Sequence, residues 1–163
     1  MRALALLLFG CQRTPAPDET PGGRLEAAAI ARGLLADPGK ASLTGTWSSD
    51  TDRLCVVPAG RALRLGASVD YGDGQSCAAS GTVERQGGKL RVRFGDCRFD
   101  AGFDGERITF PAELPEGCDS LCTGRASLAA LAVERLSESV SEAASLRGAD
   151  GRPLCGDSPS PQK

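Results

Sequence analysis

Six cysteines in the body of the chain, combined with a complete lack of histidine, constrain this protein more than any other feature. The six are Cys55, Cys77, Cys97, Cys118, Cys122 and Cys155. An even set of cysteines in an oxidising compartment predicts a small domain held by disulfides, and six cysteines allow fifteen pairings. Pairing in chain order would join Cys55 to Cys77, Cys97 to Cys118 and Cys122 to Cys155, but the spacing leaves the connectivity open.

Residues 42–110 alternate between apolar and polar in short runs that are separated by turn residues. The predicted strands are 44–47, 54–57, 62–66, 77–86, 89–94, 97–101 and 107–110. Gly87-Gly88 is a hairpin-turn signal between two of them. Short strands at this spacing are typical of an antiparallel meander that curls or closes into a small barrel.

Two helices are predicted to flank these strands. Residues 24–36 are rich in alanine, the best helix former, and Asp37-Pro38-Gly39 ends the pattern. The buried side of this helix would comprise Leu25, Ile30, Leu34 and Leu35. Further along, an apolar stripe at intervals of four predicts a second helix lying across the barrel; it comprises Leu128, Ala132, Leu136, Val140 and Ala144. The predicted fold class is therefore α+β: an antiparallel β-meander or small β-barrel with a short N-terminal helix and a longer C-terminal helix, stapled by disulfides.

The start of the chain has the shape of a signal peptide, with Arg2 followed by a short apolar run over residues 3–10. The run ends in Leu8-Phe9-Gly10-Cys11, which resembles the lipobox of bacterial lipoproteins. The resemblance implies removal of residues 1–10, acyl chains on Cys11, and anchoring of the mature protein in a membrane. Gln12, in place of an aspartate after the cysteine, implies the periplasmic face of the outer membrane.

These patterns divide the chain into four segments. Residues 1–10 are the predicted signal peptide, and residues 11–23 are a lipidated, disordered tether that is punctuated by proline and glycine. Residues 24–156 form a single barrel-like domain with flanking helices, and residues 157–163 form a disordered tail. The net charge of −2 argues against a nucleic-acid partner, which requires a strongly basic face.

The catalytic and metal chemistries that the sequence leaves open are few. Without histidine, the Ser-His-Asp and Cys-His schemes are absent. Cys118 and Cys122 could supply two zinc ligands or a redox pair, but a zinc site needs four ligands and a thioredoxin-like motif has two intervening residues. A carboxylate pair or a Ca²⁺ site is the alternative, drawn from Asp96, Asp100, Asp104 and Glu106. Turn chemistry and pairing with arginine explain the same acidic residues, so we expect no catalytic residue, no metal and no cofactor.

Four arginines form the candidate binding face, because alternation predicts that they share the outer surface of the sheet. They are Arg91, Arg93, Arg98 and Arg107. A cationic patch of this kind would suit an anionic glycan, a lipopolysaccharide or an acidic protein. The alternative is an ordinary solvated face, in which Glu84 and Asp100 are interleaved with the arginines.

Ser42-Leu43-Thr44-Gly45-Thr46-Trp47, with Cys55 eight residues after the tryptophan, resembles the start of small periplasmic β-barrel inhibitors of metalloproteases. Gly-x-Trp is also similar to the opening of lipocalin-type barrels. The inhibitor resemblance implies a disulfide between Cys55 and Cys77. The whole chain resembles small lipoproteins of Gram-negative bacteria. We therefore expect a non-enzymatic, outer-membrane-anchored module whose partners are the membrane and an envelope protein or glycan; the alternative is an inhibitor of a periplasmic or host hydrolase, either a protease or lysozyme.

Overall fold

A computed structural model describes residues 20–156, which fall into two compact units divided between Leu35 and Ala36. The predicted signal peptide, the lipidation site at Cys11, most of the predicted tether and the predicted tail 157–163 lie outside the described residues. None of the helices in residues 20–156 has the length and hydropathy that a bilayer crossing requires.

The first unit contains one helix, α1 (Pro21–Ala31). It begins inside the predicted tether, because the Thr20 hydroxyl accepts a hydrogen bond from the Gly23 N–H at 3.0 Å and proline occupies the first turn. The predicted buried side is wrong, since Leu25 and Leu34 are each 74% exposed and Leu35 is 51% exposed. At 3.6 residues per turn, Leu25 and Ile30 lie about 140° apart, so these residues do not form one stripe. Capping and alanine content, rather than an apolar face, account for this helix.

The second unit is an eight-stranded antiparallel barrel in which each strand pairs with the next and the last pairs with the first. The strands are β1 (Gly45–Ser49), β2 (Asp52–Ala59), β3 (Ala62–Asp70), β4 (Ser76–Gln86), β5 (Lys89–Phe94), β6 (Cys97–Phe103), β7 (Arg107–Thr109) and β8 (Ala132–Ser137). The predicted small antiparallel barrel is confirmed, and it closes through pairing of β8 with both β7 and β1. Every strand has a partner on both sides, although β6 pairs with β7 only at Gly102 and Phe103.

The predicted long C-terminal helix is wrong, because the last strand occupies part of its span. Residues 132–137 form β8, and the only helix after it in the described residues is α2 (Val140–Ser145). In β8 the side chain of Val133 is buried, whereas Leu136, a member of the predicted stripe, is 68% exposed. Residues with helical propensity adopt the strand conformation because β7 and β1 offer backbone hydrogen bonds on both sides.

Three disulfides hold this unit: Cys55–Cys155, Cys77–Cys122 and Cys97–Cys118. The suggested Cys97–Cys118 pair is confirmed, and the other two suggested pairs are wrong. Cys55 pairs in register with Gly66 and lies on the outside of the barrel, whereas Cys77 belongs to the interior core. Because the two side chains point to opposite faces of the sheet, they cannot be joined.

The C-terminal segment, residues 140–156, crosses the outside of the first strands and forms a second, smaller core there. The side chains of Val57, Ala143 and Leu154 are buried in it around the Cys55–Cys155 disulfide. The Ser68 hydroxyl on β3 accepts a hydrogen bond from the Ala149 N–H at 3.1 Å. We call this outer surface of β1 to β3, marked by Cys55, Val57 and Gly66, the covered face.

Candidate functional site

The interior of the barrel is filled by side chains. Phe99 and Phe110 have ring centroids 4.7 Å apart, and Trp47 contacts Phe103 edge to face at 5.9 Å. Around them the strands contribute buried aliphatic residues, among them Leu54, Val56, Leu65, Val69, Val83, Leu90, Val92, Ile108 and Val133. The candidate sites therefore lie on the outside of the barrel.

Trp47 and Arg135 form a cation–π contact at one end of the barrel, which we call the Trp47–Arg135 contact. The Trp47 indole N–H donates to the Leu43 carbonyl at 3.2 Å, and the Arg135 guanidinium lies 4.1 Å from the centroid of the indole ring. Arg135 also donates to the carbonyls of Gly105, at 3.1 Å, and of Ser42. This arginine ties β8 to the loops before β1 and β7. Sequence reasoning missed it, because the apolar spacing of residues 128–144 favours a helix and residues 132–137 do not alternate between apolar and polar.

The outer surface of β4 to β6 carries most of the predicted arginine face, and we call it the bare face. Its members lie in two neighbouring rows of directly paired residues: Thr82, Arg93 and Arg98 in one, and Glu84, Arg91 and Asp100 in the other. All six side chains are exposed. The strands thus bring Arg91, Arg93 and Arg98 together, as the alternation predicts.

The charge differs between the two rows of the bare face. Arg93 and Arg98 are direct cross-strand partners, and neither guanidinium makes a hydrogen bond or ion pair with any of residues 20–156. In the neighbouring row, Arg91 has a carboxylate on each side and lies 3.8 Å from Asp100. We call Arg93 and Arg98 the arginine pair, because their row contains no carboxylate to match the two cations.

Arg107, the fourth predicted member, lies away from the arginine pair. It is on β7 and pairs with Glu134 of β8, both in register and through an ion pair. β7 pairs with β6 only at Gly102 and Phe103. Phe103 lies five residues along β6 from Arg98, which is a distance of about 17 Å. Arg107 instead lines a polar cleft of about 330 Å³ with Asp104, Glu106, Glu134 and Arg135.

The acidic residues of the predicted carboxylate site are spread from the β5–β6 turn, which contains Asp96, to the β6–β7 turn, which contains Asp104 and Glu106. Asp100 faces Arg91 from the middle of β6. Asp104 accepts hydrogen bonds from the backbone N–H groups of Glu106, at 2.9 Å, and Arg107, at 2.6 Å, and so closes the turn. Within residues 20–156, no group of three or more cysteine or acidic side chains is arranged to hold a metal ion.

A groove on the outer surface lies where the C-terminal segment meets β2 and β3. Its volume is about 530 Å³, and its walls include Val57, Pro58, Val140 and Ala144. Arg64 also lines it and donates to the Cys155 carbonyl at 3.1 Å. Arg64 is the register partner of Thr82, so the groove adjoins the row that carries the arginine pair.

Comparison of the chain with protein-family models, curated proteins and solved structures finds no match. The residues and geometry of the barrel itself are therefore the basis for a functional hypothesis.

Proposed function

We propose that this chain is a non-enzymatic bacterial lipoprotein that is anchored at the periplasmic face of the outer membrane through acyl chains on Cys11. Its barrel serves as a binding module that uses the outer surface. The observation that carries this proposal is the contrast between a filled interior that includes two disulfides and an exposed face with unmatched cationic charge. The Leu8–Cys11 segment and the lack of histidine support the anchor and the non-enzymatic role respectively.

The test is the intact mass of the protein from a bacterial membrane fraction, measured with and without reduction. We expect loss of residues 1–10, a mass gain that matches acyl chains on Cys11, and six thiols that appear only after reduction. The control is Cys11→Ser, which should be absent from the membrane fraction but should keep its disulfides. Retention of residues 1–10 together with free thiols would contradict both the anchor and the oxidising compartment.

The second candidate function is inhibition of a periplasmic or host hydrolase. A specific observation supports it: Gly45-Thr46-Trp47 opens the first strand of a closed antiparallel barrel, as the resemblance to metalloprotease inhibitors implies. The purified protein would be added to lysozyme and metalloprotease assays, with its reduced and alkylated form as the control. An absence of inhibition at micromolar excess would remove this candidate.

A further inference from the structure

The arginine pair is arranged to bind a phosphate group. Arg93 and Arg98 are direct partners across β5 and β6, so their Cα atoms lie about 4.5–5.5 Å apart and both guanidinium groups project from the same surface. Thr82 is the next residue in the same row and adds an exposed hydroxyl beside Arg93. Guanidinium groups donate paired hydrogen bonds to phosphate oxygens, so two of them can converge on one anion.

The pair differs from the other arginines around it. Arg91 has Asp100, Arg107 has Glu134, and Arg85 donates to the carbonyls of Gly39 and Ala41. Like charges placed directly opposite each other in a sheet are unfavourable. An external anion between the two guanidinium groups would relieve that repulsion, which marks this row rather than the neighbouring one as the binding site.

We infer that the arginine pair binds the phosphate groups of an anionic lipid surface, an inference that rests on the lipoprotein proposed above. Two features favour a membrane over an acidic protein or glycan. Cys11 lies nine residues before Thr20, so acyl chains on Cys11 would hold Thr20 within at most about 32 Å of the lipid headgroups and keep the tethered barrel near a membrane. The neighbouring row presents Glu84 and Asp100, which suit the ammonium groups of phosphatidylethanolamine and would repel a purely anionic partner.

Vesicle binding by the unacylated mature chain, residues 11–163 with Cys11→Ser, tests the inference. One vesicle type contains phosphatidylethanolamine and phosphatidylglycerol in equal parts, and the other contains phosphatidylcholine alone. We expect binding to the first that weakens with added salt, and a loss of affinity of about tenfold in Arg93→Gln/Arg98→Gln. The matched control is Arg61→Gln/Arg125→Gln, which removes the same charge from exposed positions and should stay within about twofold of the parent.

Three outcomes would overturn the inference. One is an equal loss in both double variants, which would make the binding a property of net charge alone. Another is unchanged binding in Arg93→Gln/Arg98→Gln. The third is binding of inorganic phosphate by the parent, seen as shifts of the arginine side-chain resonances, without binding to anionic vesicles. Because the protein tested carries no acyl chain, these outcomes are independent of whether Cys11 is acylated in the cell.

Discussion

The covered face and the bare face are built on the same kind of antiparallel sheet, yet they do different things. On β2 and β3 the C-terminal segment packs on outward residues that are small or apolar, such as Cys55, Val57 and Gly66. On β5 and β6 the outward residues are exposed and, apart from Gly102, charged. The difference teaches that one barrel can use one part of its exterior for stability and leave another part exposed to solvent.

The largest expected effect comes from removing the disulfide that fastens the covered face. Cys55→Ala/Cys155→Ala opens a loop with a sequence separation of 100 residues, and the chain-entropy relation gives a loss of about 4.7 kcal/mol of unfolding free energy. The comparison is Cys97→Ala/Cys118→Ala, whose separation of 21 residues gives about 3.3 kcal/mol. Urea denaturation of both variants measures the two losses. A larger loss from the shorter loop would contradict this ranking.

A matched pair of glycine substitutions compares the two faces directly. In Gly66→Ala the new Cβ would lie 2.6 Å from the Leu154 carbonyl oxygen, so the C-terminal segment must move, at a cost of about 1–3 kcal/mol. In Gly102→Ala, on the exposed side of β6, the nearest atom is the Thr109 carbonyl oxygen at 3.8 Å. We expect that variant to be neutral or more stable by about 0.5 kcal/mol. Equal melting temperatures for the two variants would show that the C-terminal segment does not press on β3.

The next largest expected effect on stability comes from changing the Trp47–Arg135 contact. Arg135→Lys keeps the charge but loses the planar contact with Trp47 and the Nη2 group that donates to two carbonyls, so we expect a loss of about 1–2 kcal/mol. Arg107→Lys is the control, because its ion pair with Glu134 is exposed and should be worth less than about 1 kcal/mol. Thermal unfolding measures both, and similar shifts in the two variants would remove the special role of Arg135.

The smallest expected effect is the pH-dependent contribution of two carboxylates, Asp37 and Asp52, to stability. Partial burial raises the pKa of Asp52 above 3.8, with a further contribution from Asp50, whereas hydrogen bonds from Gly39 and Lys40 lower the pKa of Asp37. A raised pKa in the folded state means that ionised Asp52 opposes folding above that pKa, and that this cost disappears as the pH falls through it toward 3.8. Asp52→Asn should therefore be slightly stabilising at pH 7 and neutral near pH 3.

For Asp37 the sign is the opposite, since its lowered pKa favours folding above 3.8 and that contribution is lost as the pH falls. Asp37→Asn should be slightly destabilising at pH 7. Urea denaturation at both pH values measures the two differences. A stabilising Asp37→Asn together with a destabilising Asp52→Asn at pH 7 would reverse the assignment.

The bare face is also where the sequence was most informative. Residues 89–94 were predicted as a strand, and β5 has those same bounds, because one side of the strand is buried and the other is exposed. On the covered face, β3 is buried continuously from Leu65 to Val69, so local alternation says little about its two sides. Alternation places Arg93 and Arg98 on one face, but their direct pairing depends on the register of β5 and β6. The separation of both from Arg107 depends on pairings that lie far apart in the chain.

The two errors at the C-terminus share one physical cause. Strand β8 is fixed by its partners β1 and β7, and Cys155 is fixed by its return to the outside of β2. Neither relation leaves a periodic signal in residues 128–155, where the apolar spacing favours a helix. Side chains alternate between the two faces of a strand, and this alternation places Cys55 outside the barrel and Cys77 inside it. The alternation can be applied to the disulfide pairing only once the register of the strands is known.

Disulfide mapping by mass spectrometry of the unreduced, digested protein tests the central claim most directly, because the covered face exists only if the C-terminal segment returns to β2. The account predicts peptides that join Cys55 to Cys155, Cys77 to Cys122 and Cys97 to Cys118. A peptide joining Cys55 to Cys77, or Cys122 to Cys155, would contradict the division into a covered face and a bare face.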